Sequence, residues 1–452
     1  MMFKPRRIID DLGNIAAFHY ISSLLYRAIP CKVDDMAREN LLHRQKWLTL
    51  NFFQLALNFS YTICISAYLF IGRNLHSIIF VSMTFIVLGC GSSNANTSSI
   101  QAPVVLSNSY YSDLYSWNIS GGLKQTRLGR GINVGNYLEA PFEGDWTGGK
   151  VLIEDDFKII AKAGFKNVRI PIRWTAHADK TFPYTIDSVF MNRVKEVVGW
   201  ANNAGLKAII NVHHYNELMR ATDNDKMSHI LRLEGIWKQI NEQFPLSKYS
   251  RTDLIFELLN EPQDSIHYND WNDIIERLLT VIWGDTDIPQ KNNTQRIVMV
   301  GTAYWNVPDT LPKLSLPHSA NQYNTIITVH NYKPFHFTHQ GAKWVNGSKK
   351  WIGTTWLGTE SETAPLITLL DNMTRWNSKA NRNFEIYLGE FGVYSRYADP
   401  KQQKAWTAFI AREAEKRNIS WAYWEYSSSF GVYDNKAQQW RPHLIEALVP
   451  VK

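Results

Sequence analysis

Glu261 and Glu390 each stand where an apolar run gives out. The first ends Phe256-Glu257-Leu258-Leu259-Asn260-Glu261-Pro262, and the second sits in Tyr387-Leu388-Gly389-Glu390-Phe391-Gly392. Two carboxyl groups whose environments separate their pKa values can divide labour: the ionised one acts as nucleophile, the protonated one as acid. Pro262 removes a backbone donor and biases the residue before it towards extended backbone, so Glu261 is expected extended at a strand's C-terminal end. Other polar or aromatic residues end apolar runs in the same way. They are Asn133 (with Asn136 and Glu139 just beyond), Arg169 and Arg173, His213 and His214, Asn260, His330 and Tyr332, and Trp424 and Glu425. If Arg169 reaches Glu390, it keeps that carboxylate ionised. Tyr332 can donate to the same group, His330 can bridge polar neighbours, Asn260 can donate to a sugar 2-hydroxyl, and Trp424 offers a flat apolar platform. The distance between two such carboxyls separates retaining from inverting cleavage of a glycosidic bond, and sequence contains no distance.

The elements that must carry these groups alternate. Strands are expected at Gly129–Val134, Asn167–Pro171, Lys207–His213, Asp253–Leu259, Arg296–Gly301, Thr325–His330, Glu385–Gly389 and Trp421–Trp424. Helical patterns lie between them. One is VLIEDDFKIIAKAG, with Leu152, Phe157, Ile160 and Ala161 on one face and Gly164 as its stop; another ends at Gly205. A third starts with Asp399-Pro400, a cap followed by a first-turn proline. Eight alternating units predict a (β/α)8 TIM barrel over residues 126–452, whose strand ends share one mouth. An open doubly wound sheet is disfavoured, because RGINVGNYLE after the first strand has no glycine-rich phosphate turn.

Other chemistries lack their signatures. There is no HExxH, and adjacent histidines on a strand point to opposite faces, so His213 and His214 are not expected to chelate a metal together. No GxSxG marks a serine nucleophile. Neither a metal nor a cofactor is expected. The net charge of +7 is uneven: residues 1–90 hold nine lysines and arginines against five acids, and the rest hold 39 against 36. So balanced a domain offers no electrostatic footprint for nucleic acid. Aromatic residues make up 13%, with 17 Trp and 21 Tyr, which suits a flat, apolar-faced ligand as well as an aromatic core.

All three cysteines, Cys31, Cys64 and Cys90, fall in the first 90 residues, so no disulfide framework is expected in the barrel. Residues 56–72 form an apolar run at the short limit for a bilayer span. Arg73 then precedes a second apolar run, Ser77 to Gly89, which ends at Cys90. That is the layout of a secretory signal, and Val87-Leu88-Gly89-Cys90 is similar to a bacterial lipobox, in which the cysteine is lipidated. Residues 71–90 are therefore expected to be a signal or lipobox-like segment, and 1–70 either an extension ahead of the true start or a membrane-associated piece. Two membrane helices or a single anchor remain open alternatives. Residues 91–125 open on the linker-like GSSNANTSSIQAP. An exported monomer is expected, attached to the membrane by this segment or by Cys90, at the cell surface, in the periplasm or secreted.

Taken together, RGINVGNYLEAPFEGDW, GFKNVRIPIRW, NVHHY, FELLNEP, VHNYKPFHFTHQGAKW, LGEFG and WAYWEY resemble glycoside hydrolase family 5, the cellulase-like family of retaining (β/α)8 enzymes. The resemblance runs from Leu128 to Leu444. It implies Glu261 as acid/base and Glu390 as nucleophile, with Arg169, His213, Asn260, His330, Tyr332 and Trp424 completing the core site. It further suggests substrate contacts at Asn136, Glu139, His214, His339, Trp344 and Glu425. Tyr137 stands where relatives often have a small residue. The expectation is an endo-β-1,4-glucanase acting on a β-linked polysaccharide. β-1,4-Mannanase, or dual action, is the alternative within the same chemistry, with xyloglucanase behind it. A non-catalytic glycan-binding barrel is the alternative from another class, and the presence of both glutamates argues against it.

Overall fold

A computed structural model of the chain describes residues 128–284, 295–379 and 382–450. Eight parallel strands close on themselves in sequence order: β1 (Arg130–Asn133), β2 (Asn167–Ile170), β3 (Lys207–Asn211), β4 (Leu254–Glu257), β5 (Val298–Val300), β6 (Thr325–His330), β7 (Glu385–Glu390) and β8 (Ser420–Tyr423). The barrel seals where β8 pairs with β1, placing Gly131 beside Ala422. Six expected runs contain their strands, whereas β7 runs one residue further, to Glu390, and β8 begins one residue earlier, at Ser420. Several runs overshoot at the C-terminal end, because the chain stays buried and bonded after regular pairing stops. Leu258 N–H still donates to the Met299 carbonyl at 3.1 Å, and Asn260 N–H to that of Val212 at 2.9 Å.

The helices outside are α1 (Glu154–Lys162), α2 (Ser188–Asn203), α3 (Lys226–Gln243), α4 (Tyr268–Trp283), α5 (Glu360–Ser378), α6 (Pro400–Lys416) and α7 (Pro442–Leu448). Their ends follow the local chemistry. Asp187 accepts the Val189 N–H at the start of α2. Asp399 accepts those of Lys401 and Gln402 ahead of α6. Gly164, at φ 105°, lets the chain leave α1 through a conformation that costs other residues more. One expected helix is missing. The β5–β6 connection carries Pro308, Pro312 and Pro317, and it forms only a 3₁₀ segment, Pro308–Lys313.

Strand alternation sorts the core into two parts. Outward residues such as Val168, Ile210 and Phe256 pack against the helices in the main apolar cluster. Inward residues form layers. Leu128, Ile209, Ile255, Ile297, Met299, Ile326, Tyr387 and Ala422 fill the lower barrel. Two residues further along their strands, Asn211 follows Ile209 and Glu257 follows Ile255, and both are fully buried. A period of two places each pair on the same face, so polar groups stand directly above an apolar plug.

The signal-like segment 71–90, the extension 1–70 and the linker 91–125 all lie outside the described residues. Among the described residues, no helix is long and apolar enough to cross a membrane.

Candidate active site

Arg169 is the centre of the polar layer. It is fully buried, and all its N–H groups have partners. Nε and one terminal nitrogen grip Glu257 at 2.5 and 2.9 Å. The remaining bonds go to Asn260 Oδ1 at 2.8 Å, Asn133 Oδ1 at 3.0 Å and Glu390 Oε1 at 2.8 Å. Burial alone would lower its pKa, but the charges of Glu257 and Glu390 more than offset this and raise it, so the charge is permanent.

Glu390 takes a second bond, from the Tyr332 hydroxyl to Oε2 at 2.9 Å. His330 lies between the carboxyls, with Nδ1 2.7 Å from Glu261 Oε1 and 3.6 Å from Glu390 Oε2. The β6–β7 pairing slips by one residue just here, so that His330 rather than its neighbour faces Glu390. Gly389 is the residue passed over, and a Cβ on it would come within 2.5 Å of Thr328 Oγ1. Together Glu261, His330 and Glu390 bring one oxygen or nitrogen each within 4.8 Å of one another. Such a trio could hold a cation, but the Glu390 oxygens already accept from Arg169 and Tyr332, and Glu261 already meets His330.

The carboxyls differ electrostatically. Burial pushes Glu261 up to about 7; Arg169 pulls against this, and the charge of Glu257 adds to it. Burial raises Glu390 as well, against His330, Arg169 and the Tyr332 hydrogen bond. Burial also pushes His330 down to about 4, so the ring is neutral near pH 7. With His330 neutral, the lasting restraint on Glu390 is the Arg169 charge. The Asn306 amide nitrogen lies 3.4 Å from His330 Nε2, an arrangement that fits a ring proton on Nδ1, facing Glu261.

Glu261 is not extended. Its φ is 46°, in the left-handed region, which costs a non-glycine residue about 1–2 kcal/mol. The turn is held from both sides: Asn260 N–H bonds the Val212 carbonyl, and Trp305 N–H bonds that of Pro262 at 3.2 Å. These tertiary bonds override the bias from proline.

The other expected residues divide into two groups. Trp424 is half-buried at the rim, its ring parallel to that of His213 at 6.0 Å, and the Trp424–Glu425 peptide is cis. Gly135 gives Trp424 room, since a Cβ there would lie 2.8 Å from the indole. His213 and His214 do not point to opposite faces. They follow the end of β3, His214 has φ 55°, and their rings meet edge to face at 4.4 Å. Burial lowers the pKa of both, so neither is charged near pH 7. His339 packs edge-on to Tyr332 at 4.9 Å and faces Trp344, which is 58% exposed.

Glu139 and Glu425 do not line the open mouth. Both are fully buried. Glu139 accepts the N–H groups of Asn136 and Tyr137, stabilising the left-handed Asn136. Glu425 accepts those of Ser427, Ser428 and Phe430. Each folds its own loop, because a buried carboxylate takes whatever donors the adjacent turn presents.

Sequence reasoning passed over Glu257, although a signal was present. It alternates with Ile255 on a buried strand, so it must point inside the barrel, where a carboxylate needs a cationic partner. Asn306, buried beside His330, had no comparable signal in the sequence.

A closed (β/α)8 barrel with two carboxyls at the ends of β4 and β7 defines a class, and the comparisons with known proteins agree. Residues 130–429 match the model of the cellulase family, glycosyl hydrolase family 5, and the chain belongs to that family. Over 312 residues it is 38% identical to Endoglucanase H of Acetivibrio thermocellus, covering 68% of this chain but only 30% of that protein. It is 44% identical to Thermotoga maritima Cel5A in its complex with mannotriose, at a TM-score of 0.65, covering 72% of this chain and 98% of that one. The cellobiose complex of the same protein matches at 45% identity and TM-score 0.65, over 71% and 97% of the two chains.

Proposed function

We propose that the chain is a retaining endo-β-1,4-glucanase. The observation that carries this reading is the pair of carboxyls within 4.8 Å, one of them gripped by Arg169 and Tyr332. Retaining enzymes hold their carboxyls about 5–5.5 Å apart, and inverting ones leave room for a water. Glu390 attacks the anomeric carbon. As the bond to the leaving sugar breaks, Glu261 gives its proton to the departing oxygen. Water then attacks the glycosyl–Glu390 ester, Glu261 takes the water's proton, and both carboxyls return to their starting state. The neutral His330 supports the first step: its Nδ1–H meets Glu261 Oε1 and leaves Oε2 to carry the acid proton. Asn260 has its oxygen engaged by Arg169, so its amide N–H2 is the group left for a sugar hydroxyl.

In this reading Trp424 is the platform for the sugar at the reacting bond, with His213, His214 and Asn136 on one side and His339 and Trp344 on the other. Endoglucanase H supports a glucan substrate by its name. The mannotriose complex of Cel5A favours a second reading, activity on β-1,4-mannans in the same site. Export, or anchoring through residues 1–90, is proposed from the signal-like segment.

The test is reducing-sugar release by residues 91–452 on carboxymethylcellulose, barley β-glucan, glucomannan and galactomannan, with Glu261→Gln as blank. Cleavage of the glucans alone supports the endoglucanase. Strong galactomannan cleavage moves the substrate to mannan or to both. Silence on all four from folded protein overturns the reading in favour of a glycan-binding barrel.

A further inference from the structure

One cation serves three carboxyls at the barrel mouth, and this creates a conflict. Glu390 needs Arg169 to stay ionised, yet an uncompensated guanidinium so close would also draw the acid proton off Glu261. Glu257 stands where it can resolve this. It is fully buried at the end of β4, four residues before Glu261, and it holds Arg169 by two parallel N–H···O bonds at 2.5 and 2.9 Å. This fork geometry fixes both the position and the direction of the guanidinium.

We propose that Glu257 is a positioning residue: it aims and neutralises Arg169, so that one guanidinium binds Glu390 while Glu261 keeps its acid proton. The proposal rests on the roles assigned above to Glu261 and Glu390. Glu257 touches neither the sugar nor the reacting atoms and acts through Arg169. The charge of Glu257 raises Glu261 while that of Arg169 lowers it, in line with this division. The groups around the pair are Arg169 from β2, His213 beyond β3, His330 from β6 with Tyr332 beyond it, and Tyr387 and Glu390 from β7. His213 and His330 are neutral near pH 7, and the two phenols are raised above their ordinary value, so Arg169 carries the only fixed positive charge in this set.

The test compares Glu257→Gln, which removes the charge, with Glu257→Asp, which keeps it, each beside the wild type. Circular dichroism establishes folding. The Glu261 carboxyl is then titrated by carbon-13 NMR, its resonance assigned by loss in Glu261→Gln. In Glu257→Gln the Glu261 titration should move to lower pH by about one unit or more. The alkaline limb of kcat/KM should follow it, with kcat falling more than KM changes. Glu257→Asp should stay near the wild-type titration. An unmoved Glu261 titration in folded Glu257→Gln overturns the proposal, as does failure of both variants to fold, which would leave Glu257 a purely structural partner. The NMR titration requires no activity, so it tests the proposal even if the substrate panel is silent; inactive wild type would count against the glucanase reading alone.

Discussion

At the scale of single residues, the site's pH behaviour follows from its two glutamates. In the proposed mechanism the free enzyme needs Glu261 protonated and Glu390 ionised for the first step. Glu261 is raised to about 7, so kcat/KM should fall as pH rises through about 7. Glu390 is raised above the ordinary carboxyl range, so the acid limb should lie above the value of a solvent-exposed glutamate. The expected profile is therefore a bell whose alkaline limb falls near pH 7. Initial rates at low substrate between about pH 4 and pH 9 would measure it. A plateau extending past pH 8 would remove Glu261 from the acid role.

At the scale of elements, the loops after β1 and β8 are each built around a buried carboxyl. Burial raises Glu139 to about 8, and the nearby Glu425 adds to this; burial raises Glu425 to about 7. Below the ordinary value of 4.5, both the folded and the unfolded states hold these protons. As pH climbs, the unfolded chain releases them first, so stability drains away until the folded-state values are passed. The melting temperature should fall between about pH 5 and pH 8, by roughly 5 °C or more if the two loops cost a few kcal/mol. Glu139→Gln should flatten that slope in differential scanning calorimetry. A melting temperature that rises over the same range would mean the loop carboxyls are ionised in the fold. These loops also mark the limit of what the sequence discloses. Strand positions, the Asp399-Pro400 start of α6 and the glutamate-bearing strand ends were all legible, because a period of two and capping chemistry are local. The turn that twists Glu261 into left-handed backbone was not, since it depends on bonds to Val212 and Trp305, distant in sequence. Nor was the inward turn of Glu139 and Glu425, because a motif specifies a residue type and not the donors it will meet.

At the scale of the whole molecule, the eight strands from Arg130 to Tyr423 close the barrel by themselves. β8 returns to β1, and Leu128 already packs in the lower interior beside Ile209 and Ala422. A closed sheet has no edge to satisfy, so folding of this part needs no backbone partner from earlier residues. The first 90 residues hold four of the seven net positive charges and all three cysteines, and the proposed chemistry uses none of those residues. Protein comprising residues 91–452 should therefore melt within about 2 °C of the full chain, a difference of about 1.5 kcal/mol or less for a domain of this size. It should also match the full chain's activity per mole on soluble β-glucan, while partitioning away from membranes that retain the full chain. Calorimetry and fractionation of the two proteins, side by side, would check each part. Aggregation or a large fall in melting temperature on truncation would make the N-terminal segment part of the folded domain. Equal partitioning of both proteins into the aqueous fraction would argue against an anchor and leave a cleaved signal as the role of residues 71–90.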